Sequence, residues 1–152
     1  SRYRNIWNSF LNGTNELCVT TEILNEYEEI LERLAGTEVA KLTINTILNN
    51  PKTIFCTPYY CFKIIQSDPD DNKFVDCAVV ANAKFIVTED HHFDILKQCS
   101  FPKVDIISLD DFMQQIWKRF VYSEIKMYFC GRLFRNGFEE EISKWLETTR
   151  RS

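Results

Sequence analysis

The chain has 152 residues, 45% hydrophobic and 26% charged, which suits one globular domain with a real core. A net charge of −4 speaks against nucleic-acid binding by bulk charge, and no run of 18 apolar residues offers a membrane span. Cys18, Cys56, Cys61, Cys77, Cys99 and Cys130 form neither a C-x-x-C pair nor a zinc spacing, and the first residues do not read as a signal peptide, so the expected setting is a reducing cytoplasm.

Ser1 can cap a first helix, in which Tyr3, Ile6, Trp7, Phe10 and Leu11 recur at helical spacing until Asn12-Gly13 stops it. Glu16 to Thr20 reads as a strand buried on both faces. Thr21 opens a second helix with Ile23, Leu24, Tyr27, Ile30, Leu31 and Leu34 as its apolar stripe. Glu26 and Glu28 flank that stripe on opposite sides, and the pattern does not choose between them. Gly36 breaks the chain. Residues 38–49 read as a third helix, stopped at Asn50-Pro51, and Thr53 to Thr57 as a weaker strand. Tyr59 and Tyr60 follow Pro58. They suit packing in the core or at its rim better than stacking on bases.

Asp68 to Asp94 forms the centre of the sequence. Asp68 fits an N-cap, Pro69 a first helical position and Asp71 the first turn. Phe85-Ile86-Val87-Thr88 reads as a strand. A helix of ~14 residues spans ~21 Å, about the length of a five- or six-residue strand. Packed antiparallel on the strand after it, that helix starts level with the strand's carboxyl end. Asp71 and Asp90 then share one edge of the sheet, where open α/β sheets bind ligands. Helix phase turns Asp71 towards Phe74, Val75 and Ala78, sends Asp76 out to solvent and leaves Asp70 between. Plain capping is the competing account of Asp68 and Asp71, and an ordinary turn that of Asp90. His91 and His92 read as an exposed loop pair. Val104 to Ser108 is a further strand, and Ser108 with Asp111 resembles a capping pair for the helix that follows. Strands and helices alternate, which implies an α/β fold with a parallel sheet and helices on both faces.

Residues 118–152 differ in character. They hold 8 Lys and Arg against 5 Asp and Glu, whereas residues 1–117 hold 10 against 17. Phe138, Ile142, Trp145 and Leu146 make an amphipathic stripe. The expected organisation is one domain over 1–117 with a helical extension over 118–152. That extension would cover the body or a second copy of the chain, the latter giving a homodimer.

CVTTEILNEYEEIL, DPDDNKFVDCAVVANAKFIVTEDHHF and VDIISLDDFM together resemble the PIN-domain family, in its branch of toxin components of toxin–antitoxin pairs (VapC-like), over roughly residues 1–117. The resemblance implies a Rossmann-like three-layer fold and a metal-dependent endoribonuclease using Mg2+ or Mn2+. It implies RNA as substrate and an antitoxin protein as partner. It places the catalytic, metal-holding acids at Glu26, Asp71 and Asp90, and a substrate-side hydroxyl at Thr88. Asp68, Asp70 and Asp94 match pattern positions without a defined role. The family's first strand, which ends in Asp-Thr-Asn or Asp-Ser-Asn and lies centrally in the sheet, has no counterpart here. A segment ahead of Ser1 is its expected source, with Met127 to Cys130 as the alternative filler, though that run carries no acid. A non-catalytic PIN-like module that binds RNA or protein is the competing function. An acid-based phosphatase, which needs a nucleophilic Asp on the first strand, ranks third.

Overall fold

The computed structural model describes residues 2–121 and 127–131, and the side chains of residues 3–118. Helix α1 (Arg2–Leu11) leads to β1 (Asn15–Val19), α2 (Thr21–Ala35), α3 (Thr37–Asn49) and β2 (Thr53–Phe55). A 3-10 turn at Pro69–Asp71 opens α4 (Asn72–Val80). Then come β3 (Phe85–Val87), a 3-10 segment (His91–Gln98), β4 (Asp105–Ile107), α5 (Leu109–Val121) and β5 (Met127–Gly131). The Ser1 cap and the Phe138, Ile142, Trp145 and Leu146 stripe lie outside the described residues.

The boundaries follow local chemistry. Thr20 ends β1 and caps α2, its Oγ1 accepting from the Ile23 N–H at 3.1 Å. Gly36 separates α2 from α3 at a φ of 88°, and its N–H reaches the Glu32 carbonyl at 3.0 Å. A built Cβ there would meet nothing within 4 Å, so the demand for glycine is one of backbone conformation and not of space. Ser108 caps α5 as its sequence suggests, accepting from the Asp111 N–H at 3.1 Å.

All pairings in the five-stranded sheet are parallel, in the order β2-β1-β5-β3-β4. Parallel sheets need cover on both faces. Leu17, Cys18 and Val19 alternate across β1, and all three are buried. Helix α2 packs against α3 and against α4, and α4 lies over β1, β3 and β5. Helix α1 packs on β1 and against α5. The result is a Rossmann-like three-layer α/β fold. Phe10, Tyr27, Phe74, Phe93 and Phe112 are among its fully buried large side chains. Each such side chain contributes ~2–3 kcal/mol by leaving water.

The strand between β1 and β3 is β5, from the tail run that the sequence offered as the alternative filler. Phe129 is level with Leu17 on one side and with Phe85 on the other. The inner edges of β1 and β3 would otherwise present unpaired N–H and C=O groups, and an apolar, aromatic run satisfies both edges at once. Residues 127–131 of the expected helical extension are therefore a strand.

Candidate metal centre at the carboxyl edge of the sheet

Because all strands run the same way, Thr20, Thr88 and Gly131 mark one edge of the sheet, and α4 begins beside it. Asp68 takes the N-cap position in extended conformation, but its side chain makes no capping hydrogen bond. The tight turn after it is closed by the backbone, with the Asp71 N–H on the Asp68 carbonyl at 3.1 Å. Asn72 fastens the turn to the preceding loop. Its side chain accepts from the Ile65 N–H at 2.9 Å and donates to the carbonyls of Ile65 and Pro69 at 2.8 and 2.9 Å. Held in this way, Asp71 is fully buried.

The second contribution comes from the end of β3. The Thr88 N–H continues the ladder to the Ile107 carbonyl at 3.0 Å, and its Oγ1 accepts from the Asp90 N–H at 3.0 Å. Thr88 is buried and thus fixes the turn that carries Asp90. Asp90 Oδ1 in turn accepts from the His92 N–H at 2.9 Å and caps the 3-10 segment.

These two turns meet at His92. Its Nδ1 lies 3.4 Å from Asp71 Oδ2, 3.4 Å from Asp90 Oδ1 and 4.0 Å from Asp68 Oδ2. Asp71 and Asp90 are thus together at one edge. Among the described residues, Asp68, Asp71 and His92 form a group whose ligand atoms all lie within 4.8 Å of one another. Glu26 is placed differently. Its Oε2 contacts the Lys73 ammonium, which also reaches Asp70 Oδ2 at 2.6 Å. The side chains of Lys73 and Glu26 are only 9% and 11% exposed, so this contact is largely out of water. Burial lowers the pKa of the Lys73 ammonium, but its hydrogen bonds to Asp70 and Glu26 outweigh that and hold it above the ordinary lysine value.

Asp94 points elsewhere. It is exposed, with Lys97 at 2.9 Å and His91 at 3.0 Å, and Lys97 first and His91 second hold its carboxyl below the ordinary range. Asp76 corrects the helix-phase expectation. It is buried rather than solvated, because the loop before α4 runs over it and the Phe62 N–H donates to its Oδ1 at 3.0 Å. Burial pushes its pKa up, partly offset by hydrogen bonds from Phe62 and Cys61. A separate cleft of about 540 Å³, lined by residues that include Phe85, Leu96, Lys103 and Gln114, holds none of the edge acids.

Sequence reading passed over two members of this site. His91 and His92 are both exposed, with 94% and 43% of their side chains open, but His92 turns its ring to the edge acids. The available signal was the position of His92 two residues after an acid able to cap it. Lys73 carried half a signal, its spacing of three from Asp70, whereas Glu26 is 47 residues away.

The arrangement suits a divalent cation. Five carboxylates (Glu26, Asp68, Asp70, Asp71 and Asp90) face one ammonium and one imidazole. Ligands held 2.0–2.1 Å from an octahedral ion lie roughly 3–4 Å apart, close to the spacing of Asp68, Asp71 and His92. Carboxylate oxygens suit Mg2+ and Mn2+ alike, and an imidazole nitrogen suits Mn2+ better. The residues present therefore fit such an ion.

No helix among the described residues is long and apolar enough to cross a membrane. No curated protein and no solved structure matches the chain. A family model described as PIN domain matches residues 1–92, a stretch that includes Glu26 and the whole Asp68–His92 edge. With that match covering more than half of its length, the chain belongs to the PIN domain family.

Proposed function

We propose that the chain is a metal-dependent endoribonuclease that hydrolyses RNA phosphodiesters at the Asp68, Asp71, Asp90 and His92 edge. PIN domains are generally nucleases that use a divalent metal. The observation that carries the reading here is the meeting of Asp71 and Asp90, from two distant turns, on one imidazole. Asp68, Asp71 and His92 would hold the ion, with Asp90 alongside. When bound, a divalent ion supplies a more acidic water and positive charge for the phosphodiester. The chain's own groups prepare that chemistry. Asp71 offers a buried carboxylate in a fixed orientation. Thr88 holds the turn carrying Asp90, a positioning role beside the substrate contact implied by the resemblance. Lys73 offsets charge on Glu26 and Asp70. On the same resemblance, the chain is a toxin component restrained by an antitoxin protein, and the stripe of Phe138, Ile142, Trp145 and Leu146 in the sequence supports a homodimer.

Purified protein with Mn2+ or Mg2+ should cleave single-stranded RNA, and both EDTA and Asp71→Asn should abolish the cleavage. A second reading is a non-catalytic module that binds RNA or protein. It is favoured by one feature of the fold: β5, in the place of the family's acid-bearing strand, ends in Gly131 and brings no carboxylate. Mn2+ binding without RNA cleavage would select that reading.

A further inference from the structure

We propose that Lys73 is a built-in competitor for the divalent ion, holding Glu26 for itself and restricting the site to one weakly held ion. This rests on the metal-binding reading above.

Three observations carry it. The Lys73 ammonium is held by two carboxylates from different elements, Glu26 of α2 and Asp70 of the turn before α4. It is screened from water, with 9% of its side chain exposed, so its charge acts at short range with little solvent between. Asp70, one of its two carboxylates, directly precedes Asp71, the buried member of the Asp68, Asp71 and His92 group. Glu26, the acid that the resemblance implies as a metal ligand, thus already has a cation of its own.

An ammonium differs from a divalent ion in one respect that matters here. It satisfies carboxylates through three directed hydrogen bonds and cannot take a carboxylate oxygen or a water as ligand. Lys73 can therefore keep the acidic edge folded without metal, but it cannot replace the metal chemically. It also repels a second positive charge. A divalent ion at Asp68, Asp71 and His92 binds against that repulsion, and it gains Glu26 only if Lys73 swings away to Asp70.

The test is Mn2+ titration by calorimetry on the whole chain, with circular dichroism to confirm folding. Wild type should bind about one Mn2+. Removing the positive charge of Lys73 should tighten binding about tenfold in Lys73→Gln and Lys73→Met. Adding Glu26→Gln to Lys73→Gln should abolish that gain, while Glu26→Gln alone should change affinity much less. Lys73→Arg, which keeps the charge, should bind as wild type does. Should Lys73→Met fail to fold, Lys73→Gln decides, because it keeps most of the length and a hydrogen-bond donor. Wild-type or weaker affinity in folded Lys73→Gln overturns the role of Lys73. If wild type binds no Mn2+, or Asp71→Asn binds as wild type does, the metal site itself falls and the role of Lys73 falls with it. If Asp71→Asn loses binding and Lys73→Gln gains none, only the role of Lys73 is refuted.

Discussion

Phe129→Pro tests whether β5 lies in the middle of the sheet. In a central strand each residue turns its N–H towards one neighbour or the other, so a proline anywhere removes a ladder bond. Phe129 is level with both Leu17 and Phe85. The substitution loses one bond worth ~1 kcal/mol net and orphans a buried carbonyl at a further ~1–3 kcal/mol. A total of ~3 kcal/mol in a chain of this size lowers the melting temperature by roughly 10 °C. Phe129→Ala separates loss of the ring from loss of the N–H. Phe55→Pro is the edge control. The Cys56 N–H meets the Val19 carbonyl at 2.8 Å and the Lys52 carbonyl accepts from the Leu17 N–H at 2.9 Å, so alternate residues of β2 face β1 and Phe55 turns its N–H outward. It should melt close to wild type. Thermal unfolding followed by circular dichroism gives the comparison. If Phe129→Pro melts no lower than Phe129→Ala, or Phe55→Pro melts as low, β5 does not occupy that position.

Two further expectations follow from the titratable groups. Burial raises the Asp76 pKa, so the folded protein holds that proton more tightly than the unfolded chain does. Asp76 therefore adds stability as the pH falls through its folded pKa and costs stability above it. Asp76→Asn, which can still accept from the Phe62 N–H, should melt slightly higher than wild type at neutral pH and lose that gain near about pH 4. A larger loss at neutral pH than in acid would refute this. Burial first, and the neighbouring Cys77 second, push the Cys56 thiol up to about 11, so its alkylation at neutral pH should be roughly a hundredfold slower than that of free cysteine. Mass spectrometry of a timed iodoacetamide reaction measures the rate, and labelling as fast as free cysteine would refute the raised pKa.

Periodicity and local chemistry made most elements legible: the stripe of α2, the Thr20 and Ser108 stops, and the Ile86-Val87 strand with Asp90 behind it. The shared edge of Asp71 and Asp90 followed from folding the helix back on the next strand, although α4 has 9 residues and β3 has 3, both shorter than the sequence reading took them to be. What stayed hidden depends on pairing between distant residues. The loop before α4 has no period, so nothing in helix phase revealed that it would cover Asp76. Glu26 meets Lys73 across two elements, and His92 gathers acids from two turns. The place of β5 is the extreme case. An apolar run pairs with whichever open edges remain, and which edges remain is a property of the assembled sheet rather than of the run.

That topology also sets an order of events during synthesis. Chains emerge N-terminal first, at ~5–20 residues per second. β1 and β2 form one pair and β3 and β4 another, and the strand that joins the two pairs is made after all four. Until residue 131 leaves the ribosome, two apolar strands each keep an inner edge unpaired, and such edges recruit other chains. The nascent protein is thus two half-sheets awaiting a seam. The acid on α2 and those beside β3 belong to different halves until the seam closes, so the contact of Glu26 with Lys73 is a late addition to an edge that the second half already carries.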